Sequence, residues 1–132
     1  MIANNIRSII EKLAEKTKNN QATWNASSGS NGFRLHLKTG VINIDKWNEA
    51  QNDNWYIDFK IFNDRGDIIE SILVSLYDDK PDFDYLDLFY SIIRRKYLKV
   101  DETLKGLLDE LNENNPIGKS ESQGEIIDDL PF

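Results

Sequence analysis

The chain has 132 residues, of which 39% are apolar and 30% charged, enough for one domain with a core of its own and little more. It contains no cysteine, which excludes a disulfide framework, a thiolate metal site and a cysteine nucleophile. The formal net charge of −7 speaks against a general binder of polyanions, so any contact with nucleic acid has to come from an uneven spread of charge.

Residues 2–18 predict an amphipathic helix. Ile2, Ile6, Ile9, Ile10, Leu13 and Ala14 recur at helical spacing, with Arg7, Glu11, Lys12, Glu15 and Lys16 on the other side. Asn19-Asn20 ends it, and Ser27 to Gly32 reads as a loop. Residues 33–38 alternate strictly, which predicts a strand with Phe33, Leu35 and Leu37 inward and Arg34, His36 and Lys38 outward. After the turn at Thr39-Gly40, residues 41–45 form a second strand with Ile42 and Ile44 inward. Residues 46–54 read as a polar connection carrying Trp47. A third strand spans 55–62, with Trp55, Ile57, Phe59 and Ile61 on one face and Tyr56, Asp58, Lys60 and Phe62 on the other. Asn63-Asp64-Arg65-Gly66 is a strong turn, leading to a fourth strand over 67–76 whose register Glu70 leaves open.

Pro81 marks a break before a second helix over 83–98, in which Leu86, Phe89, Tyr90, Ile93 and Tyr97 recur at three and four. A third helix follows over 101–112, with Asp101 as N-cap and Leu104, Leu107, Leu108 and Leu111 as its stripe. The expected fold is α+β: an N-terminal helix, a four-stranded antiparallel sheet with helices on one face, and two C-terminal helices within residues 1–112. Residues 113–124 are polar and poor in core-formers and read as a flexible linker, leaving 125–132 as a disordered acidic tail.

Charge is divided along the chain. Residues 1–50 hold seven Lys/Arg against four Asp/Glu, residues 51–112 eight against fourteen, and residues 113–132 one against five. The N-terminus lacks the charged start and apolar stretch of a signal peptide, and no run nears the roughly 20 apolar residues of a membrane span. A cytoplasmic location and no membrane partner are expected.

The tail ends Asp128-Asp129-Leu130-Pro131-Phe132. Such a tip offers an apolar ring, an α-carboxylate and two acids to a partner with an apolar pocket and a basic rim. Pro131 lowers the entropy lost on docking. These residues resemble the acidic tip of bacterial single-stranded DNA-binding proteins, Asp-Asp-x-Pro-Phe, and the polar linker matches that family's layout. Four fixed letters at one place arise by chance in roughly one chain in 10^5. The resemblance covers about eight residues. It implies replication and repair proteins as partners, bound through Asp128, Asp129, Leu130, Pro131 and Phe132. That family precedes its tip with an OB-fold, which the order of elements here does not match. Either the domain binds single strands with another fold, or it borrows the tip for another purpose.

For a single strand, the candidate surface is the outward row Arg34, His36 and Lys38 beside Tyr56, Lys60 and Phe62, where phosphates meet cations and bases stack on rings. The order of four strands followed by a helix is similar, in topology alone, to the Whirly-like single-strand binders. Against this, Asp58 sits among the candidates, and an aromatic sheet face serves a homodimer equally well. Arg94-Arg95-Lys96 is the densest basic cluster, accounted for by the helix dipole at the end of its helix. His36, the only histidine, lacks a carboxylate partner in sequence and reads as a surface residue. Asp78, Asp79, Asp82 and Asp84 read as caps and solvated loops. No cofactor, no metal and no enzymatic activity are expected. The competing reading is a protein-interaction domain, dimeric through its sheet, with an incidental tail.

Overall fold

The computed structural model describes residues 2–27 and 31–120. The loop residues Ser28, Gly29 and Ser30 lie outside the described residues, as does the whole of 121–132 with the predicted tip Asp128–Phe132. The chain divides into two compact units, Met1–Val100 and Asp101–Phe132.

The first unit is α+β. Its order is α1 (Asn4–Lys18), β1 (Asn25–Ala26), β2 (Gly32–His36), β3 (Gly40–Glu49), β4 (Asn54–Asn63), β5 (Ile68–Ser75) and α2 (Lys80–Tyr97). All five strands form one antiparallel sheet in the order β1-β2-β3-β4-β5. Four strands are expected from the sequence. The fifth, β1, pairs only Asn25 with Arg34 and Ala26 with Phe33, too short a run to show any alternation. The second strand reaches Glu49 instead of stopping at Asp45, while β2 stops at His36.

Helices α1 and α2 cover one face of the sheet. Ile6, Ile10, Leu13 and Thr17 of α1 are buried at spacings of three and four, as are Phe83, Leu86, Phe89, Tyr90 and Ile93 of α2. They meet Phe33, Leu35, Ile42, Ile44, Ile57, Phe59, Ile61 and Val74 of the sheet. Phe59 and Phe89 contact edge to face at 6.3 Å, and Trp24 and Phe89 at 5.9 Å. At the surface the two helices are joined by Arg7, which reaches Asp82 at 3.4 Å and lies 4.3 Å from the Tyr85 ring centroid. Asn20, at φ 60°, ends α1 in the left-handed region that Asn tolerates.

Leu37, expected inward, is 51% exposed, because β2 has ended and the chain is turning toward Gly40. The register of β5 places Glu70 opposite Ile61, Ile72 opposite Phe59 and Val74 opposite Ile57. An irregularity between Ile61 and Phe62 then shifts the pairing so that Ile68 meets Phe62. The turn before β5 forms as its residues predict: Asn63 Oδ1 accepts from the N–H groups of Arg65 and Asp67, and Gly66 takes φ 86°.

Helix α3 (Val100–Leu111), in the second unit from Asp101 on, begins one residue before the expected start, so Asp101 lies in its first turn rather than at its cap. Leu104, Leu107, Leu108 and Leu111 hold their helical spacing and are exposed. Residues 112–120 form neither helix nor strand. Among the described residues, no helix is long and apolar enough to cross a membrane.

Candidate functional site

The face of the sheet away from α1 and α2 carries most of the predicted binding residues, and the register arranges them in rows. Arg34, Asn43 and Lys60 stand side by side on β2, β3 and β4. His36, Val41 and Phe62 form the next row, with Ile68 of β5 beyond them. Trp47 and Tyr56 form a third row and stack at 5.6 Å with an interplanar angle of 16°. Arg34 Nε donates to Asn43 Oδ1 at 3.0 Å, and Asn43 Nδ2 to Asp45 Oδ2 at 3.3 Å, which fixes the guanidinium over the sheet. A depression of about 420 Å³ opens there, lined by Arg34, His36, Asn43 and Asp45 together with β1.

Lys38 does not join this row. The strand ends at His36, and Lys38 lies in the turn before Gly40. The face also holds two carboxylates directly across from one another, Asp45 and Asp58. Asp58 Oδ2 pairs with Lys60 Nζ at 3.1 Å, while its Oδ1 is buried without a hydrogen-bond partner. The basic row is therefore interrupted by acid, and aromatic surface is concentrated at Trp47 and Tyr56.

Trp47 is the outward residue that the sequence hides. Lys46, Asn48 and Glu49 around it break the apolar alternation, so 46–49 reads as a loop. Its strand character follows from complete pairing with β4, out to Glu49 opposite Asn54. Its cross-strand partner Tyr56, an outward aromatic of the third predicted strand, is the sequence signal that could have placed it.

At the same end of the sheet, on the helix side, Lys46 Nζ bonds Asp87 Oδ1 of α2 at 2.7 Å. It also lies 5.0 Å from the Trp55 ring centroid and 5.6 Å from that of Tyr90. Trp55, expected in the core, is 37% exposed, because β4 here runs past the layer that α2 covers. Burial, opposed by Arg94 and assisted by Asp45 and Asp87, raises the Tyr90 phenol above its ordinary value. Its hydroxyl donates to the Asn31 carbonyl at 2.6 Å.

The acidic cluster before α2 is engaged in local structure. Asp78 Oδ2 accepts from Ser75 Oγ, Asp79 Oδ2 accepts from the Ser75 N–H, and Asp84 pairs with Lys80 at 2.9 Å. No family model, no curated protein and no solved structure matches the chain.

Proposed function

We propose that the chain is an accessory protein of DNA metabolism that meets replication and repair enzymes through Asp128–Phe132. The observation that carries this reading is the order of letters in that peptide, Asp-Asp-Leu-Pro-Phe, behind a polar segment. The tip either recruits those enzymes or competes for them with the cell's own single-stranded DNA-binding protein. Direct contact with a single strand is the second part of the proposal. It is supported by Arg34, His36 and Lys60 in neighbouring register, on the same face as the stacked Trp47 and Tyr56 with the Asp45–Asp58 pair between them. Asp45 and Asp58 hold such binding to low affinity, and the contacts of Arg34 and Lys60 with phosphate make it sensitive to salt.

The test compares the full chain with one lacking Pro131 and Phe132. The full chain is expected to capture enzymes that take the tip of single-stranded DNA-binding proteins, and free tip peptide is expected to displace them. The shortened chain should fold equally well and capture none of them. If the full chain captures none, the reading fails.

One observation favours a different reading, a dimeric interaction domain. β5 stands at the edge of the sheet, and its Ile68, Ile69 and Leu73 are 54%, 61% and 59% exposed. An open edge with apolar flanks is a template for pairing with another strand. Sedimentation equilibrium separates the two: a stable dimer broken by Leu73→Lys favours the second reading, and a monomer removes it.

A further inference from the structure

The depression of about 420 Å³ on the outward face is lined by polar side chains from three strands: Asn25 of β1, Arg34 and His36 of β2, Asn43 and Asp45 of β3. Its floor is fixed. Asn43, 8% exposed, accepts from Arg34 Nε through Oδ1 and donates to Asp45 Oδ2 through Nδ2. The amide is thereby held in one orientation, with a cation on one side and a carboxylate on the other. Asp45 has room because Gly32 stands opposite it: a Cβ there would run into Oδ1. The bond to Asn43 uses Nε alone. No acceptor among the described residues takes a bond from the two terminal nitrogens of Arg34, so the guanidinium fork is left for a ligand.

Such a lining discriminates between ligands. A bare phosphate meets the repulsion of Asp45, and a bare cation meets that of Arg34. A group with acceptors and donors on neighbouring atoms suits both. Among the bases, guanine has that pattern: N7 and O6 accept from a guanidinium fork, and the adjoining N1–H and N2 amino group donate. The order Arg34, Asn43, Asp45 follows the order N7 and O6, then N1–H and N2, along one side of the base. Adenine places a donor where guanine has O6, and the pyrimidines have no N7. Asp45 contributes through its charge, which favours the donor side of guanine whatever else the carboxylate bonds. The volume falls within the roughly 300–1,000 Å³ of small-ligand sites, enough for one base.

We infer that this depression reads guanine within a single strand, with N7 and O6 at the Arg34 fork and the N1–H side toward Asp45. The inference rests on the reading of the outward face as a surface for single strands, and it names the base that face selects. A guanidinium has five N–H donors, so Arg34 can meet a base and a phosphate together.

The experiment is fluorescence anisotropy of the full chain with a labelled thymidine decamer and with the same decamer carrying one central guanine, adenine or 7-deazaguanine. The guanine decamer is expected to bind about fivefold or more tightly than the thymidine decamer. Adenine, and 7-deazaguanine without its N7 acceptor, should lose that gain. Arg34→Lys keeps the charge and removes the fork; it should bring the guanine and thymidine decamers to equal affinity. Asp45→Asn should tighten the thymidine decamer and narrow the preference. Lys12→Ala, exposed on α1, serves as the control and should keep the preference, with circular dichroism checking the fold of each variant. Equal binding of the guanine and thymidine decamers overturns the inference and leaves the strand reading intact, as does a preference that survives Arg34→Lys. If no decamer binds, the strand reading fails and the inference with it. Free deoxyguanosine 5′-monophosphate binding as tightly as the guanine decamer would make the ligand a nucleotide and overturn its assignment to a strand.

Discussion

Thr17 is 1% exposed and ties the N-terminal helix to Trp24, the residue before β1. Its hydroxyl donates to the Leu13 carbonyl at 2.6 Å and accepts from the Trp24 indole N–H at 3.0 Å. Thr17→Val keeps the volume and leaves that buried N–H without a partner, a loss of about 1–3 kcal/mol. Urea unfolding should show the midpoint falling at unchanged slope; an unchanged midpoint would mean that water replaces the bond. Tyr90 acts on stability through pH. Burial raises its phenol, so the folded state holds that proton more tightly than the unfolded state does. The stabilisation is fully present below the unfolded value of about 10 and is lost as pH rises through the higher folded value. Tyr85 shifts in the same direction, with burial again the largest cause. Tyr90→Phe should therefore flatten, without abolishing, the loss of stability above pH about 10, measured by chemical denaturation at stepped pH. Thr17 and Tyr90 were not legible as partners in the sequence, because each bond closes between residues whose spacing carries no pattern.

The β3–β4 hairpin shows why part of the sheet could be read and part could not. Ile42, Ile44, Ile57, Phe59 and Ile61 alternate because the helices cover one side of them, and burial is what the pattern records. Lys46 to Glu49 keep the same backbone pairing, but their helix-facing positions are not a closed core. Lys46 there serves Asp87 and two rings, so the sequence loses its period while the strand continues. The same gap hid the cavity of about 480 Å³ that Lys46 and Trp55 line with Asn31, Tyr90 and Ser91, residues that meet only after folding. The outward row was legible at Arg34, His36, Tyr56 and Lys60, since alternation assigns a face; it failed at Lys38, where the turn begins. The hairpin before β3 has its own constraint. A Cβ on Gly40 would run into the Phe62 carbonyl across the β3–β4 pair. Gly40→Val therefore has to separate two backbones rather than move a side chain. It should cost about 1–3 kcal/mol in denaturant unfolding, and wild-type stability in that variant would show that the strands can separate without loss.

At the scale of the whole chain, charge decides how the proposed parts affect one another. Residues 113–132 carry five acids and one lysine, more than half of the net −7. They add a negative field to a domain whose proposed strand-binding face is only mildly basic, and that field repels phosphate before any specific contact forms. Between exposed charges such repulsion is screened beyond about 8 Å at physiological ionic strength and reaches further in dilute salt. Removal of 113–132 should therefore strengthen oligo-dT binding at low salt, by about threefold or more, and the gain should shrink as salt rises past about 0.3 M. Fluorescence anisotropy across a salt series reads both quantities, provided the shortened chain melts like the full one. A gain that persists at high salt would point to direct occlusion of the surface rather than a field. No gain at any salt would mean that the tail and the strand do not sense one another, and the tip would then act on partner proteins alone.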